Sequence, residues 1–309
     1  MLSPLILIQI LWTSLATSSC FVLFALAFAL VLKVNRIFNF AQAAVMTTAF
    51  YAAYTVVGLA SGPGWAGLLA GVAGAVAMSA VLELFGFRAL RRRQASSMFV
   101  FIFTLIVSEL ISYVAMLIYG TWPATIFPSL FWPVTLVGTI AVSQWDLMAL
   151  GGTAVVLAAT FAFLRWSRTG QSMTAVADNP DLAEFYGIAR DRVFLAAMLL
   201  SGLIAGFSMF LYGTRAQVQP GSAIELLLFA VAATIIGGIG NLAGAVVAAF
   251  VLAIIQNGSV LFIPSEWQGF LLYAFLFLAI VLFPRGVRLP QRKRLVRRTP
   301  APALGPAES

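Results

Sequence analysis

"ILIQILWTSLATSSCFVLFALAFALVLK", residues 6–33, carries no charged side chain until its last position, Lys33. A helix needs about 20 apolar residues to cross the hydrocarbon core of a bilayer, and this run exceeds that. It is also longer than the apolar region of a secretory signal, and no Lys or Arg precedes it. The run therefore reads as a retained span and not as a cleaved leader. Similar runs follow at 38–59, 66–87, 98–119, 145–165, 193–213, 224–239, 241–257 and 267–284. Strands of a membrane barrel would alternate apolar and polar residues over about 10 positions, and these runs do not. The sequence predicts an all-α polytopic membrane protein with eight to ten transmembrane helices.

The composition agrees. The chain is 62% hydrophobic and 9% charged, whereas a soluble domain carries about a quarter charged residues. It contains no His and a single Cys, Cys20. A disulfide within the chain, a Cys/His metal site and a histidine general base are all excluded.

The net charge of +8 points to membrane topology and not to nucleic acid, because the basic residues sit in loops beside apolar runs. Lys33 and Arg36 lie in the first loop. Arg88, Arg91, Arg92 and Arg93 lie in the third, and Arg165, Arg168, Arg190 and Arg192 flank the loop 166–192. Further basic residues run from Arg285 to Arg298. The intervening loops 60–65, 120–144 and 258–266 have no Lys or Arg; Arg215 is the single exception to the alternation. The positive-inside rule makes the basic face cytoplasmic. The N-terminus is then expected outside and the C-terminus inside. The expected organisation is a transmembrane domain over 1–288 and a tail over 289–309, basic at first and then Pro/Ala-rich and disordered. The loop 120–144 is expected along the outer surface, with Trp122, Trp132 and Trp145 in an interfacial aromatic belt.

Four polar features interrupt the apolar pattern. The first is "AVADNPDLAEFYGIARDR", residues 175–192, with carboxylates at Asp178, Asp181, Glu184 and Asp191. Asn179 suits a helix N-cap and Pro180 the first helical position. Asp181 and Glu184 oppose the positive end of the helix dipole, and Gly187 suits the stop. The pattern predicts a two-turn helix over 180–186. Leu182, Phe185 and Tyr186 then share one face. So short a helix is marginal alone in water, and its acids fit anionic lipid poorly. A protein partner is the better cover for that face.

The second is "NRIFNFAQ", residues 35–42. Asn39 and Gln42 are three apart and share a face; they either bond across helices or line a polar path. The third is Glu109, near the middle of the run 98–119, with Ser108 and Tyr113 close in sequence. An acid there costs roughly 2.5–3.5 kcal/mol on insertion scales, so it is either a neutral structural acid or faces water or a cationic substrate group. The fourth is "GGIGN", residues 237–241, joining two runs of about 16 residues, each about 24 Å as a helix. It is either a tight hairpin at the cytoplasmic surface or a pair of discontinuous helices at a transport site. Gly67 and Gly71, Gly202 and Gly206, and Gly240 and Gly244 are spaced for close helix packing.

A phosphate-binding loop needs Gly-Lys-Ser/Thr at its end. Neither Lys33 nor Lys293 has that setting, so any ATPase must be a separate subunit on the cytoplasmic face.

Several stretches resemble one family, the membrane permease subunits of branched-chain amino acid ABC transporters. They are "NFAQAAVMTTAFY" (39–51), "AVADNPDLAEFYGI" (175–188), "SGLIAGFSMFLYG" (201–213) with Pro220–Gly221, "IIGGIGNLAGAVVAAFVLAIIQ" (235–256) and "FPRG" (283–286). They keep the family's order over nearly the whole chain. The departures are Ala43 and Ala44 where the family has Gly and Glu, and Gln256 where it commonly has Glu. The resemblance implies that the loop 166–192 forms a coupling helix seated on the ATPase, with Asp178, Asn179, Pro180, Leu182, Ala183, Glu184, Phe185 and Gly187 at the contact. It implies two ABC ATPase subunits that bind ATP, a second homologous permease, a solute-binding protein, and a place in the inner membrane. No cofactor and no metal is expected on this chain. Asn39, Gln42, Ser108, Glu109, Gly237, Gly238, Asn241 and Gln256 are the candidate translocation residues. The implied cargo is a branched-chain amino acid or a related small polar solute, moved by ATP-driven alternating access. Urea, short amides and aromatic acids are the alternatives within the family. An ion-coupled secondary transporter using Glu109 is the rival of another class.

Overall fold

A computed structural model describes residues 4–127, 133–137, 140–259, 264 and 267–282. The match at 283–286 and the tail 289–309 lie outside them. Each apolar run expected to span is helical over most of its described residues. The order is α1 (Pro4–Asn35), α2 (Gln42–Tyr54), α3 (Gly64–Val81), α4 (Arg88–Arg92), α5 (Ser97–Tyr119), β1 (Val134–Val137), β2 (Ile140–Ser143), α6 (Gln144–Trp166), α7 (Arg168–Asp178), α8 (Pro180–Phe185), α9 (Arg190–Gly213), α10 (Ser222–Gly237), α11 (Leu242–Ser259) and α12 (Gln268–Leu282). Two π-helical stretches, Thr55–Leu59 and Leu82–Phe87, continue α2 and join α3 to α4. Six helices among the described residues are long and apolar enough to cross a membrane. The protein is an all-α polytopic membrane protein.

Helix α1 is the centre. It packs against α6, α7, α9, α10 and α11, and Leu23, Ala25, Leu26, Ala27 and Leu30 are fully buried. A helix apolar on every side is stable only when surrounded, and here protein provides most of that surround. By contrast α3, α5 and α6 each turn a broad apolar face outward, with Leu69, Leu117 and Val155 well exposed.

Small residues bring α3 and α9 close together. α3 and α9 meet where a Cβ on Gly206 would lie 2.8 Å from Ala75 Cβ and 2.9 Å from Val72 Cα. The expected Gly202/Gly206 pair therefore serves packing. The expected Gly240/Gly244 pair is only half right. Gly240 adopts φ +88° in the turn, and it is Gly237 whose missing Cβ lets Gly244 approach.

The two ends of the bundle differ in charge. At one end Arg36 donates to the carbonyls of Ala177 and Asp178 (2.9 and 3.2 Å), and Arg88 pairs with Asp191 (2.9 Å). The loops read as cytoplasmic thus gather at a single end. At the opposite end Arg215 pairs with Asp146 (2.9 Å).

Part of the segment 120–144 forms regular structure. β1 and β2 pair antiparallel, Val134 opposite Ser143. Gln9 of α1 continues the pairing: its Nε2 donates to the Ala141 carbonyl (3.1 Å) and its Oε1 accepts from Ala141 N (2.9 Å). Trp122 is exposed as a belt residue should be, but Trp145 is 3% exposed. Its indole Nε1 donates to Thr214 Oγ1 at 2.9 Å, and its ring lies under the Arg215 guanidinium, 4.6 Å away. A hydrogen bond and a cation–π contact in the interior outweigh the interfacial preference of Trp. Trp132 lies outside the described residues.

Candidate functional site

The helix predicted over 180–186 is α8, Pro180–Phe185. Asn179 Oδ1 accepts from Leu182 N at 3.1 Å, and Pro180 opens the helix. Gly187 takes φ +83°, a conformation a side chain would strain. Ala183 is the inward residue, 4% exposed, while Leu182, Phe185 and Tyr186 are 52%, 85% and 77% exposed. A two-turn helix thus holds three large apolar side chains outward. Asp178 ends α7, its backbone carbonyl held by Arg36. Arg190 of α9 lies 3.3 Å from both Asp181 and Glu184.

The candidate translocation residues do not converge. Asn39 and Gln42 are buried where α1, α2 and α9 meet. Asn39 Nδ2 donates to Gln42 Oε1 (3.5 Å), Gln42 Nε2 donates to Ser201 Oγ (3.0 Å), and Ser201 Oγ donates to the Ala27 carbonyl (2.9 Å). This chain of bonds ties three helices, which is the bonding alternative of the two that the sequence left open. On α5, Ser108 is buried and its neighbour Glu109 is exposed. Glu109 therefore looks away from the bundle of this chain. No ion pair among the described residues includes it.

Gly237, Gly238 and Asn241 form the α10–α11 turn. Asn241 Oδ1 accepts from Gly244 N at 3.1 Å, and Gly238 takes φ +95°. Leu242 lines a small depression with Lys33 and Val34, and Asn257 at the far end of α11 donates to Thr17 Oγ1 of α1 (2.7 Å). The hairpin therefore runs alongside α1, with its turn level with Lys33 at the basic end. Gln256, near the other end of α11, is half-buried.

The family described as branched-chain amino acid transport system, permease component, matches residues 10–280. The chain belongs to this family. The high-affinity branched-chain amino acid transport system permease protein LivH of Escherichia coli K12 is 23% identical over 294 residues, covering 91% of this chain and 94% of that protein. The xylose transport system permease protein XylH of the same strain is 32% identical over 142 residues, 43% of this chain and 34% of that one. A probable branched-chain amino acid permease of Methanocaldococcus jannaschii is 25% identical over 150 residues, 46% of this chain. The chain is a multi-pass transport permease subunit.

Two polar clusters of this permease escaped the sequence. Glu83, 1% exposed, lies in the π stretch and bonds Arg91; Arg91 also reaches Asp191 (3.3 Å). At the opposite end Asp146 accepts from Trp12 Nε1 (3.0 Å) and from Ser143 N (3.0 Å) besides pairing with Arg215. The partners lie 8, 100, 134 and 69 positions apart, beyond the i,i+4 reach that a sequence displays. The one local signal was Ser143-x-x-Asp146, a capping box, and it does form.

Proposed function

We propose that this permease carries a branched-chain amino acid or a related small polar solute inward through the cytoplasmic membrane, within a binding-protein-dependent ABC importer. Of the two ATPase subunits, one docks on α8 of this chain and the other on a second, homologous permease, which completes the pathway. The observation that carries this reading is the outward face of Leu182, Phe185 and Tyr186, held on a capped two-turn helix at the basic end. Large apolar side chains set among charges are what a partner's groove desolvates. ATP-driven closure of the ATPase dimer displaces α8, and the helices joined to it reopen the pathway inward. ATP is bound by the partner, and no covalent chemistry falls to this chain.

For the cargo, the match to LivH runs over most of both chains, whereas the match to XylH spans less than half of this one. That favours amino acids over sugars. The outward face of α5, with Glu109 near its middle, is the part of the pathway that this chain presents to its companion subunit. A carboxylate there suits the ammonium group of an amino acid and is too costly to leave in lipid. Asn39, Gln42 and Ser108 hold the helices behind that face, and the turn at Gly237, Gly238 and Asn241 closes the cytoplasmic side with Gln256 at the far end of its hairpin.

The test is reconstitution of the permeases, ATPases and binding protein in liposomes with radiolabelled leucine, valine, xylose and urea. ATP-dependent accumulation of leucine or valine supports the reading. Accumulation without ATP, driven by an imposed ion gradient and lost in Glu109→Gln, would replace it with an ion-coupled transporter.

A further inference from the structure

The first turn of α9 carries two oppositely directed charges side by side. Arg190 grips α8 through Asp181 and Glu184, both at 3.3 Å. Asp191, the next residue, turns toward the α3–α4 helix, accepting from Arg88 Nε at 2.9 Å and Arg91 Nη2 at 3.3 Å. Arg91 continues the chain to Glu83, and its guanidinium lies 4.8 Å from the ring centre of Phe194, one turn further along α9. Two sets of ion pairs, joined only by the backbone between Arg190 and Asp191, thus run from the exposed helix α8 to a buried carboxylate in the π stretch that follows α3.

Three observations separate this series from ordinary surface charge. First, it is unfinished. Glu83 Oε2 and Arg91 Nη1 are buried without a hydrogen-bond partner, and a buried group left unpaired makes the arrangement costly to hold. Second, a cavity of about 180 Å³ lined by Glu83, Leu84, Arg88, Asp191, Arg192 and Leu195 adjoins it, so the side chains have room to exchange partners. Third, Glu83 sits in a π-helical stretch; such single-turn insertions occur frequently at functional sites. The seam below, between α3 and α9, is built from Gly202, Gly206, Ala75 and Ser79. Small residues interlock little, so the ion pairs at the end of the seam are placed to set how the two helices lie.

We propose that Arg190 and Asp191 are positioning residues that relay displacement of α8 to the Glu83–Arg91 end of the α3 rod, making the transport step follow ATP hydrolysis. The proposal rests on the reading of α8 as the ATPase contact. Because Arg190 and Asp191 are adjacent in one rigid turn, a pull on the first moves the second. Arg88 and Asp191 are 40% and 45% exposed, and pairs so wetted add little stability. Their contribution is to geometry.

The experiment uses the complete transporter in liposomes and reads substrate uptake and ATP hydrolysis together. Asp191→Asn and Arg88→Gln should assemble with the ATPase and hydrolyse ATP, while uptake per ATP falls about two- to thirty-fold, the range for residues that modulate coupling. Exchanging the charges, Arg88→Asp with Asp191→Arg, should restore most of it. Unchanged uptake per ATP in both single variants overturns the relay. So does a proportionate fall in uptake and hydrolysis, or loss of assembly in both, since either makes the cluster purely structural. A wild-type complex without ATP-driven uptake would instead sink the coupling reading, which separates the two failures.

Discussion

Asp146 and Arg215 meet at 2.9 Å across 69 positions of sequence, at the end of the bundle where basic residues are otherwise scarce. Arg215 is the one cation that breaks the charge alternation of the loops. The structure explains how it is tolerated. Asp146, with a side chain 5% exposed, neutralises it, and Trp145 lies beneath its guanidinium. The same carboxylate caps α6 and holds Trp12 of α1, so one residue fastens α1, α6 and the end of α9 together.

Removing that carboxylate should therefore be expensive. Asp146→Ala leaves Arg215 unpaired and breaks the capping box, and the cost should be about 2–3 kcal/mol. Thermal unfolding in detergent should show a loss of several degrees. Arg215→Gln added to Asp146→Ala should recover part of the loss, because the uncompensated charge is gone.

The crossing of α3 and α9 predicts a second effect. Gly206→Val places branched carbons where Ala75 Cβ and Val72 Cα already lie within 3 Å of a Cβ. Two backbones cannot both yield, and overpacking of this kind costs about 1–3 kcal/mol. Melting temperature and yield in the membrane should both drop, whereas Gly151→Ala, which meets nothing within 4 Å, should be silent.

Gln42 and Ser201 separate binding from packing. Their 3.0 Å bond lies in the α1–α2–α9 seam, and an interhelical bond inside a membrane protein is worth about 0.6 kcal/mol on average. Ser201→Ala should lower stability by that order and leave the uptake KM unchanged. A shifted KM at constant stability would return Gln42 to the pathway.

Glu109 makes the opposite prediction. Its side chain is exposed on α5. Glu109→Gln should leave the melting temperature of the isolated permease nearly unchanged and weaken transport of zwitterionic amino acids more than that of an uncharged solute. Competition assays with leucine and a short amide read the difference.

Much of this molecule was legible because its signals are local. Asn179, Pro180 and Gly187 are read one residue at a time, and they predicted α8 to within a residue of its end. The apolar runs and the arginines between them likewise need only counting, and the helices and the two ends of the bundle follow them. What could not be read is what helices decide when they meet. Nothing local distinguishes Glu83; Arg91 and Asp191 close on it only when the helices meet. Trp145 reads as interfacial in the sequence, but the turn after α9 supplies Thr214 and Arg215. The strands Val134–Val137 and Ile140–Ser143 are β-branched around Gly138–Thr139, a local hairpin signal masked by the Trp/Pro-rich residues before it. Glu109 was singled out for its cost in lipid, yet its outward direction depended on which face of α5 packs on α2.

The proposed ATPase contact is α8. Phe185, 85% exposed, is its most outward apolar side chain, with the ring of Tyr186 edge-on beside it. Cys20 is buried, so a cysteine introduced at Phe185 is the reactive one. Phe185→Cys should crosslink to a cysteine in the surface groove of the ATPase subunit, and the crosslink should respond to ATP. Phe185→Asp should weaken ATPase binding about thirty-fold, corresponding to a hot-spot loss of about 2 kcal/mol. A permease that binds its ATPase unchanged with Phe185→Asp, and that fails to crosslink from Leu182, Phe185 and Tyr186 alike, would show that the ATPase does not seat on α8.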